Sequence, residues 1–186
     1  SPSANARSHC RCVNAFGTGL ADDKLAHAYA EEMVRFYLGE EPLLRSVPSF
    51  DLSDETALKA ALERLDELVV KPRDGFGGRG VTIMARATAG ERRRTLGLVR
   101  RRPTDFVAQE TVQLSSHPTV CGARLRPRRV DLRPFVVSAA GGASAMPGGL
   151  TRYARGAGEM IVNSSRGGGC KDTWVLDGPG ESVARR

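Results

Sequence analysis

A glycine-rich segment that follows a lysine is the first feature able to do chemistry. Lys71 ends an apolar run that predicts a short buried strand over 68–71, and a returning strand is predicted over 81–84. Between them lie four glycines: Gly75, Gly77, Gly78 and Gly80. Glycines let a loop close over phosphates with backbone N–H groups facing the oxygens, and lysine supplies a point charge. Because the lysine precedes the glycines and a strand follows, the segment is neither a P-loop nor a dinucleotide fingerprint; the alternative is a simple hairpin turn.

A polar cluster at the end of another predicted strand could contact a nucleoside. Gln109 and Glu110 end the strand predicted over 105–110, and Val112 follows shortly after. A carboxylate in this position can accept hydrogen bonds from ribose hydroxyls, while the following backbone pairs with adenine. The alternative is an exposed strand end, because charged residues are usually solvated.

Polar side chains in two apolar strands suggest a metal and anion site. Asp131 and Arg133 share one face of the strand predicted over 130–138, because strand side chains alternate with period two. The carboxylate of Asp131 suits Mg²⁺, which prefers oxygen ligands, and Arg133 suits a phosphate or acyl-phosphate oxygen. Asn163, at the end of the strand predicted over 160–163, offers an amide oxygen to the same cation. The alternatives are a salt bridge between Asp131 and Arg133 or another neighbour, and a common Asn/Ser turn.

Helices must position these segments, and three are predicted. Asp22 is the predicted N-cap of the first helix, and Gly39 is its predicted stop. Ser53 is predicted to cap the second helix. A third, basic helix is predicted over 88–102.

The remaining chain adds short strands and loops. Glycines predict a loop over 141–149, followed by a strand over 150–154. Residues 1–13 and 177–186 are polar and are predicted to be disordered and frayed, respectively. Helices mixed with antiparallel hairpins predict an α+β fold.

The charge balance favours anionic partners. The net charge is +7 and the isoelectric point is near 9.7, with arginines clustered at 92–94, 100–102 and 124–129. The alternative is that these arginines lie on solvated faces. Aromatic residues make up only 5% of the chain and no RNA- or DNA-binding motif is present, so nucleic acid is not the expected partner.

The sequence also bears on location. No segment approaches the roughly 20 apolar residues that span a bilayer, and residues 1–14 lack the apolar block of a signal peptide. Four scattered cysteines lack zinc-ligand spacing and suit a reducing compartment. We therefore expect a cytoplasmic protein with no membrane partner.

Taken in order, these segments resemble the ATP-grasp superfamily, and more closely its circularly permuted type 2 branch, with its glutathionylspermidine synthase-like ligases. The strings that carry the resemblance span about residues 13–176: Asn14–Lys24, Tyr37–Pro42, Val69–Gly80, Ala108–Glu110, Asp131–Val136, Gly149–Arg152 and Asn163–Val175. The resemblance implies two α+β lobes with ATP bound between their sheets. It divides a core of 14–176 into a helical part (14–67), a glycine-loop lobe (68–112) and a metal-binding lobe (113–176).

The resemblance also assigns roles to the nucleotide-binding residues. Lys24, in the Asp23-Lys24 pair, and Lys71 correspond to the two phosphate-binding lysines, although they are 47 positions apart. The glycine loop corresponds to the lid over the phosphates. Gln109, Glu110 and Val112 lie in the segment that corresponds to the adenine and ribose hinge.

The remaining roles concern the metal and the developing negative charge. Asp131 and Asn163 correspond to Mg²⁺ ligands, and Arg133 and Arg152 to anion-stabilising residues. Many family members carry a glutamate two positions before the asparagine, where this chain has Ile161. The nearby carboxylates of Glu159 and Asp172 are candidate substitutes.

The implied function is an ATP- and Mg²⁺-dependent carboxylate–amine ligase that forms an amide or peptide bond through an acyl phosphate. Its implied partners are ATP, a small carboxylate and an amine or peptide. Two alternatives stay open: a truncated or inactive module that binds nucleotide without ligation, and a basic nucleic-acid binder. Ile161 and the short chain favour the first alternative, and the arginine clusters favour the second.

Overall fold

The chain divides into two compact units, with the boundary between Val112 and Gln113. The computed structural model describes residues 19–75, 77–139, 141–162 and 167–176. Both units contain antiparallel sheets and the first also contains helices, so the predicted α+β class is confirmed. The predicted segments 1–13 and 177–186 lie outside the described residues.

The first unit is built on a four-stranded sheet with strand order β1-β4-β2-β3. Every pair of neighbouring strands is antiparallel. The strands are β1 (Ser49–Asp51), β2 (Leu68–Pro72), β3 (Thr82–Ile83) and β4 (Phe106–Glu110). The predicted strands on either side of the glycine loop therefore form the hairpin β2–β3, as expected.

Within the described residues, five helices accompany this sheet: α1 (Gly19–Asp22), α2 (Lys24–Ala28), α3 (Ala30–Leu38), α4 (Glu55–Glu63) and α5 (Ala89–Arg101). Three short 3₁₀ segments lie at Leu65–Glu67, Met84–Arg86 and Pro103–Asp105. The predicted basic helix is α5, which begins with a capping box between Thr88 and Glu91.

The first predicted helix is divided into two, α2 and α3, and both predicted N-caps are displaced by one residue. Asp23, not Asp22, caps α2 by accepting from the backbone N–H of Leu25. Asp54, not Ser53, caps α4 by accepting from the backbone N–H of Ala57, while the Ser53 hydroxyl donates to Asp51 at 2.6 Å. The predicted stop at Gly39 is confirmed, since its φ of 66° is left-handed.

The hydrophobic core lies on one face of the first sheet. Leu68 and Val70 on β2 pair in register with β4, where Ala108 faces the same way. These side chains are almost fully buried with residues of α4, α5 and the connecting segments: Leu52, Ala61, Met84 and Val99. Alternation along β2 then places Val69 and Lys71 on the opposite face.

The second unit is a four-stranded antiparallel sheet with strand order β5-β6-β7-β8. Its strands are β5 (Ser116–Cys121), β6 (Arg124–Ala139), β7 (Gly142–Tyr153) and β8 (Gly169–Trp174). Lys171 on β8 donates to the carbonyl of Pro118 on β5, at 2.6 Å, although these are the two edge strands. The sheet is therefore strongly curled, as the twist of antiparallel sheets permits.

The second unit buries few large apolar side chains. Its described buried residues are Thr119, Ala154 and Val162, whereas Trp174 on β8 is 81% exposed. Several other large apolar side chains of this sheet are also exposed: Val120, Leu125, Leu132, Phe135, Val136, Val137 and Met146. The sheet thus presents apolar surface that the described residues do not cover.

Two predictions about this unit were wrong. Most of the loop predicted over 141–149 belongs to β7, whose pairing with β6 has an irregular register between Pro134 and Val136. A Cβ on Gly149 would lie 2.7 Å from the carbonyl oxygen of Arg133, so these glycines permit close strand approach rather than a loop. Residues 160–162 form no strand, and Asn163 lies outside the described residues.

Three strands were not predicted: β1, β5 and β8. None of the helices that the structure describes is long and apolar enough to cross a membrane.

Candidate nucleotide-binding site

Lys71 lies on the face of the first sheet opposite the hydrophobic core. Its ammonium donates to Oε1 of Gln109, whose own amide nitrogen donates to Oγ of Ser49 at 3.1 Å. Burial lowers the pKa of the Lys71 ammonium, and the positive charge of Lys24 lowers it further. The sheet therefore holds a partly desolvated cation in a polar row that crosses β2, β4 and β1.

Lys24 contacts the segment that follows Lys71, although the two lysines are distant in sequence. It is the first residue of α2, and its backbone N–H donates to the carbonyl of Arg73 at 3.4 Å. Its ammonium donates to the carbonyls of Arg73 at 3.1 Å and Gly75 at 2.6 Å. The fold thus places the ammonium of Lys24 at the start of the glycine loop that follows Lys71, the other lysine predicted to bind phosphate.

An ion pair connects the same two segments. Asp23 accepts from Nε of Arg73 at 3.1 Å and from its Nη2, while the same carboxylate caps α2. These bonds, first from Arg73 and then from the backbone of Leu25, lower the pKa of Asp23. The sequence assigned no role to Arg73; its place two positions after Lys71 was the available signal.

The glycine loop has a backbone that other residues would not adopt. Gly77, Gly78 and Gly80 have φ values of 65°, 73° and 71°, in the left-handed region. A Cβ on Gly80 would also lie 3.0 Å from Cγ of Pro72. The tight turn alone therefore requires these glycines, and the phosphate-lid role of Gly75, Gly77, Gly78 and Gly80 stays a prediction.

The predicted nucleoside contacts lie at the end of β4. Gln109 is engaged by Lys71 and Ser49 as described above. Glu110 accepts from Arg64 at 2.7 Å, and Val112 is 44% exposed. A carboxylate has about four acceptor sites, so the bond from Arg64 leaves Glu110 able to accept others.

A groove of about 680 Å³ lies in the first unit beside the Asp23–Arg73 pair. Its lining residues include four carboxylates and one guanidinium: Asp22, Asp23, Asp74, Asp105 and Arg73. Neither Lys24 nor Lys71 lines this groove. Its acidic walls disfavour phosphate, so the cationic row around Lys71 is the better phosphate candidate.

In the second unit, the predicted site residues Asp131 and Arg152 form an ion pair. Asp131 on β6 is the direct partner of Arg152 on β7. Nε of Arg152 donates to Oδ1 of Asp131 at 2.8 Å, and its Nη2 donates to Oδ2. These bonds raise the pKa of Arg152. The predicted alternative of a salt bridge is therefore present, but its arginine is Arg152 rather than Arg133.

Arg133 and Asp172 share the sheet face of this pair. Arg133 pairs in register with Leu150, which in turn pairs with Asp172 on β8, and directly paired residues point to the same side. Arg133 is exposed. The face therefore carries two guanidinium groups and two carboxylates, and β7 separates the strands of the carboxylates Asp131 and Asp172.

Among the described residues, no three His, Cys, Asp or Glu side chains form a cluster able to hold a metal ion. This arrangement is compatible with Mg²⁺, which usually binds one or two carboxylates together with substrate phosphates and water. Asp131 is the predicted ligand that the structure describes; Asn163 lies outside the described residues.

Comparison with known protein families identifies the chain's relatives. The family described as circularly permuted ATP-grasp type 2 matches residues 3–154. This match confirms the resemblance seen in the sequence strings and covers most of the chain.

Three similar proteins illustrate the relationship. An uncharacterized Synechocystis protein is 44% identical over 89% of this chain, and an uncharacterized Mycobacterium tuberculosis protein is 42% identical over 93%. A Frankia casuarinae protein with the provisional name glutamate–cysteine ligase 2-2 is 44% identical over 88%. The matched region covers 34%, 31% and 19% of these relatives, so the chain spans only a fifth to a third of their length.

The lowered pKa of Lys71 gives a pH-dependent prediction. The unfolded chain keeps an ordinary lysine pKa, near 10.4. At pH values between the lowered pKa of folded Lys71 and this ordinary pKa, the unfolded chain therefore binds more protons than the folded chain. Burial of the charged Lys71 ammonium therefore destabilises the folded chain fully below the folded pKa of Lys71, and this destabilisation disappears as the pH rises toward about 10.4. We expect the melting temperature of the parent to rise relative to that of Lys71→Met as the pH rises above the lowered pKa of Lys71 toward about 10.4.

Thermal melts of both proteins across this range measure the effect. Lys59→Met is the matched control, because Lys59 is exposed on α4 and its variant should follow the parent at every pH. A constant difference between the parent and Lys71→Met would show that Lys71 is not desolvated.

Proposed function

Because the chain belongs to the circularly permuted ATP-grasp type 2 family, we propose that it supplies the ATP-binding residues of a carboxylate–amine ligase. The observation that carries the proposal is that Lys71 donates to Gln109 on the face of the sheet opposite the core, while the Lys24 ammonium donates to the carbonyls of Arg73 and Gly75, shortly after Lys71 in the chain. Two ammonium groups held near each other repel, and a polyanion is the ligand that relieves this repulsion. The triphosphate of ATP is such a ligand.

Lys24 and Lys71 are the proposed phosphate contacts in the first unit. Each ammonium has three donors, and Lys24 uses two of them on the carbonyls of Arg73 and Gly75. Lys71 uses one on Gln109. Both lysines therefore keep donors for phosphate oxygens, and the glycine loop that follows Lys71 is proposed to cover them.

The end of β4 is the proposed nucleoside contact. Glu110 would accept from ribose hydroxyls while it keeps its bond to Arg64. Gln109 would connect the nucleoside to the lysine row, and the backbone near Val112 would contact adenine. The N–H of Thr111 already donates to Glu67 at 2.9 Å, which fixes this segment.

Asp131 and Asn163 are the proposed residues for Mg²⁺ in the second unit. To bind the cation, the Asp131 carboxylate would have to break its two hydrogen bonds with Arg152. The Arg152 guanidinium would then be available to another anion. Mg²⁺ bound to the triphosphate would neutralise part of its negative charge.

The proposed reaction has two steps. A substrate carboxylate oxygen attacks the γ-phosphorus of ATP, the bond to the β-phosphate oxygen breaks, and ADP leaves. An amine then attacks the acyl carbon, phosphate leaves, and the amine loses a proton. Arg133 and Arg152 would stabilise the charge on the acyl phosphate, so catalysis is mostly positioning and charge neutralisation.

The substrate class follows from the family and from two provisional names. Relatives from Frankia casuarinae and Frankia alni carry the name glutamate–cysteine ligase. We propose an amino acid as the carboxylate and an amino acid, peptide or other small amine as its partner.

A nucleotide-binding module without ligase activity is the second candidate. Ile161 lies where many family members carry a glutamate, and Asp131 is engaged by Arg152. ATP binding without ADP release in the presence of glutamate, cysteine and other amino acids would favour this candidate.

The first functional prediction concerns Lys71. Lys71→Ala should weaken ATP binding by roughly 1.5–3 kcal/mol, which is about a ten- to hundredfold rise in Kd, because a charge-assisted hydrogen bond is lost. Calorimetric titration with ATP and Mg²⁺ measures the change. Lys59→Ala should bind like the parent, and an equal affinity in folded Lys71→Ala would remove this residue from the site.

The second functional prediction concerns Asp131. Asp131→Asn should lower the free energy of unfolding by roughly 1–2 kcal/mol, because the partly buried pair lies between exposed pairs and fully buried ones. The variant should also need more Mg²⁺ for ATP-dependent activity. Thermal melts and Mg²⁺ titrations measure the two effects.

Arg152→Met is the matched control for this prediction. It breaks the same ion pair but keeps the Asp131 carboxylate, so it should show a similar loss of stability. Because Arg152 is also a proposed anion-stabilising residue, the maximal activity should fall, but the Mg²⁺ concentration that gives half of that activity should not rise. Equal Mg²⁺ dependence in both variants would contradict the metal role of Asp131.

A further inference from the structure

The Lys24 ammonium bonds to the carbonyls of Arg73 and Gly75, two and four residues after Lys71. This placement needs a physical cause, because two ammonium groups repel in the absence of an anion. Both carry flexible side chains of four methylene groups, so either could turn away toward water. Lys71 is fixed by its place on β2, within the sheet. Lys24 is the first residue of α2, a helix of only five residues. Contacts from other segments are therefore needed to hold its side chain in place.

The contacts that hold Lys24 come from the segment just after β2. Its backbone N–H and its ammonium both donate to the carbonyl of Arg73, and the ammonium also donates to Gly75. Carbonyl oxygens carry partial negative charge, so they offset part of the repulsion that Lys24 meets. The position of Arg73 therefore decides the position of the Lys24 ammonium.

Arg73 is itself held by both its backbone and its side chain. Its N–H donates to the carbonyl of Asp105 at 2.9 Å, and Nη1 donates to the carbonyl of Thr104 at 3.0 Å. The remaining edge of the guanidinium forms the two bonds to Asp23. Arg73 thus connects the residues just before β4 to the N-terminus of α2.

The fork geometry of this ion pair restricts the start of α2. Two parallel bonds between a guanidinium and a carboxylate fix orientation as well as distance. The Asp23 carboxylate also caps α2 through the N–H of Leu25, at 2.9 Å. Its oxygens are therefore committed to Arg73 and to the helix, and Lys24 is the next residue along the chain.

We propose that Asp23 and Arg73 are positioning residues for polyphosphate binding, whose ion pair holds the ammonium of Lys24 beside Lys71 before any ligand arrives. The inference rests on the proposed function and adds residues that touch no phosphate. Because the cations are placed in advance, binding requires little rearrangement of the chain. The repulsion between the cations is then relieved when the ligand binds.

Three substitutions test the proposal. Asp23→Asn keeps a side chain that caps helices well but removes the charge that pairs with Arg73. Arg73→Met removes the guanidinium, and Arg73→Lys keeps a charge without the two-pronged geometry. Asp66→Asn is the matched control, because it breaks the ion pair of the same unit between Asp66 and Arg92.

Two measurements are made on each folded variant. Calorimetry with inorganic tripolyphosphate gives the affinity for a polyanion without a nucleoside. Nuclear magnetic resonance of lysines labelled at Cε gives the pKa of Lys71 in the ligand-free protein. A purely structural role of the ion pair would leave this pKa unchanged.

Asp23→Asn and Arg73→Met should each weaken tripolyphosphate binding by about tenfold, as loss of a supporting residue commonly does. Both should raise the pKa of Lys71 toward its ordinary value, because Lys24 moves away. Arg73→Lys should give intermediate values, and Asp66→Asn should match the parent. An unchanged Lys71 pKa with parental affinity in Asp23→Asn and Arg73→Met would overturn the proposal.

The two measurements also separate this proposal from the proposed function. If the parent binds neither tripolyphosphate nor ATP, the proposed function fails. The pKa of Lys71 then still decides the positioning role: a rise in Asp23→Asn supports it, and no change overturns it.

Discussion

The alternation of side chains along β2 is the constraint on which the candidate site depends. Leu68 and Val70 anchor the core on one face, and this forces Lys71 onto the other face beside Gln109. The position of the lysine is therefore coupled to the hydrophobic register of the sheet. A shift by one residue would bury the ammonium in the core, which the free energy of folding strongly disfavours.

In both units, charges that could serve a ligand are held by the protein itself. The Lys24 ammonium donates to the carbonyls of Arg73 and Gly75, and the Asp131 carboxylate accepts from Arg152. The two arrangements differ in what a ligand must do. An anion can bind the Lys24 and Lys71 ammonium groups without displacing their present partners. A cation, in contrast, must displace the Arg152 guanidinium to bind the Asp131 carboxylate. We therefore expect phosphate binding to need less rearrangement than metal binding.

The sequence predicted the elements whose signals are local, and it missed those that depend on distant partners. The apolar run before Lys71 and the periodicity of α5 each predicted an element correctly. The glycines near Gly149 predicted a loop, but they permit close approach between strands, which depends on a register that no local pattern contains. The pairing of Asp131 with Arg152 was missed for the same reason, since it follows from the β6–β7 register. The resemblance, rather than periodicity, identified Lys24, because only the fold brings it near Lys71.

The central claim is that Lys24 and Lys71 together bind the phosphates of ATP. Its most direct test is the rate at which an amine-acylating reagent modifies each lysine, followed by mass spectrometry with and without ATP and Mg²⁺. We predict that saturating ATP slows modification of both Lys24 and Lys71, because the bound phosphates cover their ammonium groups, while exposed Lys59 reacts at its original rate. Unchanged rates at both lysines in the presence of saturating ATP would contradict it.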